Sequence, residues 1–127
     1  MANNTITFNP DSNVAFGVNL TILEGADFKS TFKVNKENKS AFDLSGYAVH
    51  GKLKKSVAIG SSSGGITTFT SGISSAAAGE FNISLTDTIT KDLKPGRYYF
   101  DINVVSSAST VYKMVSGNVV VEGGLSV

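Results

Sequence analysis

Leu93-Lys94-Pro95-Gly96-Arg97-Tyr98-Tyr99-Phe100-Asp101-Ile102 (LKPGRYYFDI, residues 93–102) sets a rigid turn in front of an alternating run. Pro95 holds φ near −65° and Gly96 tolerates φ above zero, so the chain reverses there without strain. Beyond the turn Tyr98, Phe100, Ile102 and Val104 share one phase and Tyr99, Asp101 and Asn103 the other. Period two is the signature of a strand with one buried face, which sends Tyr98 into a core and turns Tyr99 and Asp101 outward. A buried tyrosine needs a partner for its hydroxyl, and backbone a few residues upstream is within reach.

Upstream of this turn, Ile89 and Leu93 stand four apart within Thr86 to Lys94, the spacing of one helical turn crossing between sheets. Other strands are read the same way. Phe16, Val18, Leu20 and Ile22 alternate with small polar residues; Phe28, Ser30, Phe32 and Val34 alternate with Lys29, Thr31 and Lys33; Tyr47, Val49 and Leu53 alternate with His50, Lys52 and Lys54. A short strand is expected around Ile66 to Thr70, another through Phe81, Ile83 and Leu85, and a long last one from about Thr110 to Glu122 carrying Val115, Val119 and Val121. Ser56 to Gly65 reads as a Gly/Ser-rich hairpin tip, and the alanines of SGISSAAAG are too few for a helix. A tyrosine corner within strands at this spacing predicts an all-β fold, an immunoglobulin-like Greek-key β-sandwich of about seven to eight strands. The expected layout is an N-terminal arm over 1–13, the sandwich over 14–122 and a C-terminal tail over 123–127.

The chain has 127 residues, room for one hydrophobic core. Eleven basic residues against ten acidic ones supply no broad cationic field, so neither nucleic acid nor an anionic membrane is an expected partner. With no cysteine, disulfides, thiolate chemistry and cysteine zinc sites are excluded. The start MANNTITFNPDSN lacks the pattern of a signal peptide, which points to synthesis in a cytoplasm.

The pieces Gly25-Ala26-Asp27-Phe28, Phe42-Asp43-Leu44-Ser45-Gly46-Tyr47, Lys54-Lys55-Ser56, Ile83-Ser84-Leu85-Thr86, Leu93 to Ile102 and Gly117-Asn118-Val119-Val120-Val121 occur in an order that resembles the small immunoglobulin-like structural proteins of tailed bacteriophages, of the cyanophage type. A fainter similarity is to the amino-terminal sandwich domains of some phage baseplate proteins. The resemblance implies a virion component, made in the host cytoplasm, with no catalytic residues. It implies other virion proteins as partners and many copies in a symmetric assembly.

No constellation marks chemistry. His50, the only histidine, falls on an outward phase with no carboxylate near it in sequence, so neither a metal site nor a triad is expected. The acids sit in turns, where Asp27 and Asp43 are expected to accept backbone hydrogen bonds; no calcium-loop pattern is present and no cofactor is expected. Lys29, Lys33, Lys52, Lys54 and Lys55 would make one basic face if their two strands were neighbours, suited to an acidic protein surface; otherwise they keep the sheet soluble. The candidate partner-binding residues are Ile6 and Phe8 in the arm, Lys52, Lys54, Tyr99, Asp101 and Tyr112 on outward phases, and Leu125 in the tail. The expected function is a non-enzymatic virion structural protein, a decoration or cement protein of the head. The alternatives are a tail, neck or baseplate accessory subunit, or a module that binds carbohydrate or a host surface through Tyr99 and Tyr112.

Overall fold

The computed structural model describes residues 3–9, 15–55 and 66–123. Ten strands and one helical turn follow in the order β1 Asn3–Thr7, β2 Phe16–Gly17, β3 Leu20–Leu23, β4 Phe28–Asn35, β5 Ala48–Lys55, β6 Ile66–Thr68, β7 Thr70–Ser75, β8 Glu80–Leu85, α1 Asp87–Thr90, β9 Gly96–Val105 and β10 Val111–Glu122. They form two sheets, a four-stranded one in the order β1-β4-β8-β7 and a six-stranded one in the order β2-β10-β9-β5-β6, with β3 also on β10. Successive strands cross between the sheets, from β4 to β5 and from β8 through α1 to β9, which makes the sandwich a Greek key.

The alternation of the sequence becomes burial. Phe32, Val34, Phe81 and Ile83 from one sheet and Leu53, Ile102, Val104 and Val115 from the other are all 1 % exposed or less. Phe32 and Phe81 are opposite each other in the β4–β8 register and their rings stack at 5.0 Å, a cross-strand aromatic pair at the centre of the core.

The predicted corner is present. Gly96 has φ +145°, Tyr98 is 5 % exposed, and its hydroxyl donates to the Lys94 carbonyl at 2.8 Å. Burial pushes the Tyr98 phenol pKa up. Just before the corner, α1 is held to the turn between β3 and β4. The Asp87 N–H donates to Asp27 Oδ1 at 2.8 Å, and the fully buried Thr90 donates to the Ala26 carbonyl at 2.8 Å. Asp43 likewise accepts the Ser45 N–H at 2.9 Å, and hydrogen bonds from Ser45 hold its carboxyl below the usual range. Both aspartates therefore serve turns, as their positions predict.

Four expectations are corrected. The arm expected over 1–13 is a strand over Asn3–Thr7, parallel to β4, with Ile6 at 1 % and Phe8 at 4 % exposure. Asn4 donates to the buried Ser30 hydroxyl, the Phe8 N–H to the Asn35 carbonyl and Asn9 to Glu37, so the polar residues around Ile6 and Phe8 bind the strand down. The single strand expected from Phe16 to Ile22 is two, interrupted at Val18 and Asn19, although both pieces lie on β10 in one continuous register and the Val18 N–H donates to the Ser116 carbonyl. A side chain on Gly117 would collide with the Val18 carbonyl, so only glycine permits that approach. The strand expected around Ile66 to Thr70 is β6 and β7, which lie in different sheets on either side of the buried Phe69. Finally, β10 carries a bulge between Lys113 and Val115, so Met114 and Val115 are both buried and the phase inverts before it. Tyr112, expected outside by counting back from Val115, is thereby turned inward: it is half-buried, with its ring 5.9 Å from that of Phe8.

Candidate functional face

The outer faces of the two sheets differ in kind. On the four-stranded sheet the outward residues of β1, β4 and β8 are Thr5, Thr7, Lys29, Thr31, Lys33, Glu80, Asn82 and Ser84, none of them apolar. Among the described residues the exposed large hydrophobics are Phe16, Leu23, Ile66, Ile89, Tyr99, Val111 and Val120, and all but Ile89 belong to strands of the six-stranded sheet. Phe16 shares the inward phase of its register partner Val115, whereas Leu23, Ile66, Tyr99, Val111 and Val120 share the outward phase, so this outer face is the candidate functional surface.

Its rows follow from register. Across β6, β5, β9 and β10, one row reads Ile66, Lys54, Tyr99, Asn118, and the next reads Thr68, Lys52, Asp101, Ser116. A third row sets His50 and Lys113 on either side of Asn103. Apart from Thr68, the first two rows line an open hollow of ≈ 620 Å³ together with Lys113. Ile66 is 61 % and Tyr99 56 % exposed, which puts an apolar side chain and an aromatic ring to either side of Lys54.

Electrostatically the hollow has three lysines and one acid. Asp101 Oδ2 lies 3.6 Å from Lys113 Nζ, an exposed pair that contributes little to stability. The outward acid thus meets a strand lysine, from β10 rather than from its cross-strand neighbour Lys52. Among the described residues Lys52 and Lys54 have no ion-pair partner, so their charges remain available. His50 makes no hydrogen bond among the described residues, which leaves its ring unoriented. The described residues contain no group of three or more His, Asp or Glu side chains that could hold a metal ion. None of their helices is long and apolar enough to cross a membrane.

Of the residues singled out from sequence, Lys52, Lys54, Tyr99 and Asp101 converge on this hollow. Ile6 and Phe8 are core residues and Tyr112 packs against the core, so none of the three is presented to a partner on this face. Leu125 lies outside the described residues, as does the hairpin tip over 56–65. The five-lysine face does not form: β4 and β5 are in different sheets, and Lys29 and Lys33 lie on the opposite side of the sandwich from Lys52 and Lys54. Three contributors were missed. Lys113 was hidden by the bulge, Ile66 by the glycine-rich stretch beside it, and Asn118 by having no charge or ring to single it out.

No protein-family model matches the sequence, and no curated protein matches it at a significant level. Among solved structures the chain is similar to the N-terminal domain of ORF48 of phage TP901-1, with a TM-score of 0.54 at 13% identity over 96% of this chain and 99% of that one. That likeness shows a shared β-sandwich fold from end to end. A family 123 glycoside hydrolase from Clostridium perfringens (TM-score 0.40, 13% identity, 86% of this chain and 23% of that one) and the bradyzoite-specific antigen BSR4 from Toxoplasma gondii (0.38, 9%, 94% and 49%) are looser likenesses that bear on nothing below.

Proposed function

We propose that this chain is a non-enzymatic structural protein of a tailed-phage virion, an attachment module that docks to neighbouring virion proteins through the outer face of its six-stranded sheet. The observation that carries the reading is the end-to-end superposition on a phage protein domain, with 96% and 99% of the two chains covered. The concentration of exposed apolar side chains on one sheet supports docking as its mode of action. Made in the host cytoplasm, the protein is then incorporated in many copies.

Two places in the particle fit. One is the outside of the head, as a decoration or cement protein. A tail or baseplate subunit is favoured by one observation, that the solved neighbour is an amino-terminal domain, in line with the fainter resemblance to amino-terminal sandwich domains of baseplate proteins. Carbohydrate binding through a pair of tyrosines loses support with Tyr112 packed against Phe8, leaving Tyr99 as the exposed ring. Imaging of purified particles with and without the protein tests the reading: density at regular positions on head or tail is expected, and absence of the protein from purified particles would sink it.

A further inference from the structure

The hollow on the six-stranded sheet is specific in charge as well as in polarity. We infer that its occupant is an acidic protein surface that presents an apolar side chain between carboxylates, an inference that rests on the docking reading above. Lys52 and Lys54 project from the same side of β5 about 6.6 Å apart, two strand steps, and among the described residues neither forms an ion pair, Asp101 opposite Lys52 being paired with Lys113. Ile66 and Tyr99 flank Lys54 in its row, so an apolar group inserted there covers both while its neighbouring carboxylates reach the two lysines. Tyrosine and the long stems of lysine suit such a centre, giving contact area with a polar tip left for hydrogen bonding.

A second copy of the chain does not fit. Face to face, the Lys52–Lys54 columns would oppose each other, and like charges brought together at an interface repel. The other outer face offers Lys29 and Lys33 against Glu80, again no acidic complement. The partner is therefore a different protein, held in a way that salt weakens.

The probe is a synthetic peptide alternating glutamate with leucine, titrated into labelled full-length protein and followed by amide chemical shifts; a lysine–leucine peptide and polygalacturonate are the controls. Shifts confined to β5, β6, β9 and β10 are expected with the glutamate peptide alone. Lys52→Glu/Lys54→Glu should weaken binding about tenfold or more, as expected for reversing charges at an interface. Tyr99→Ser is the second variant; all three positions are exposed, and unchanged thermal melting verifies the fold. Equal binding of the lysine peptide, shifts on β4 and β8, tighter binding of polygalacturonate, or concentration-dependent dimers using this face would each overturn the inference. Full incorporation of the double-glutamate variant into particles would overturn the face while leaving the virion reading intact; absence of the protein from particles, with peptide binding retained, would do the reverse.

Discussion

Tyr98 is the residue on which the fold can be tested most directly. Its hydroxyl has one partner, the Lys94 carbonyl, and Tyr98→Phe leaves that acceptor without its donor; chemical denaturation should show a loss of about 1 kcal/mol. The same residue makes a prediction about pH. An unfolded phenol ionises near 10.0 and the folded one only above it, so its contribution is complete below pH 10 and is lost as pH rises through the folded value. Denaturation midpoints should therefore fall more steeply above pH 10 in the native protein than in Tyr98→Phe; parallel curves would show that the phenol is not protected. Gly117 is the second test. A methyl group there meets the Val18 carbonyl, so Gly117→Ala should cost roughly 1–3 kcal/mol, the usual range for overpacking, and loosen β2 and β3 from β10.

At the scale of elements, what could be read in advance depends on how many neighbours a strand has. β4, β5, β8 and β9 lie inside the sheets, carry strict alternation, and were legible with nearly their observed bounds. Edge strands bury less and carry weaker patterns: β7 has Ile73 as its one large apolar residue, and β1 has Ile6 with Phe8 just beyond it. The corner was legible because proline, glycine and tyrosine act locally, whereas the bulge in β10 is made by its pairing with β9, which no local pattern records. For the face, alternation alone sent Lys52, Lys54, Tyr99 and Asp101 outward; that they meet depends on β5 lying beside β9, a matter of topology. The correction of the arm to β1 has its own test. Ile6→Ala should cost about 3 kcal/mol, as for other buried isoleucines, where a free arm would lose nothing; urea midpoints distinguish the two.

For the whole molecule, the inner and edge strands of both sheets should also differ in dynamics. β8 and β9 are paired on both sides, whereas β6 has three residues on one neighbour and β7 is paired on one side only. Hydrogen exchange should find the slowest amides in β4, β8, β9 and β10 and the first to exchange in β6 and β7; uniform protection would contradict this order. Two of the three parallel pairings set a further property. Because β1 runs with β4, the chain at Asn3 lies toward the pole where β4 begins; because β3 runs with β10, Glu122 lies beside Leu23 at that same pole, next to the corner. Labels at the start of β1 and the end of β10 should therefore report on one and the same pole of the sandwich, the one that carries the corner.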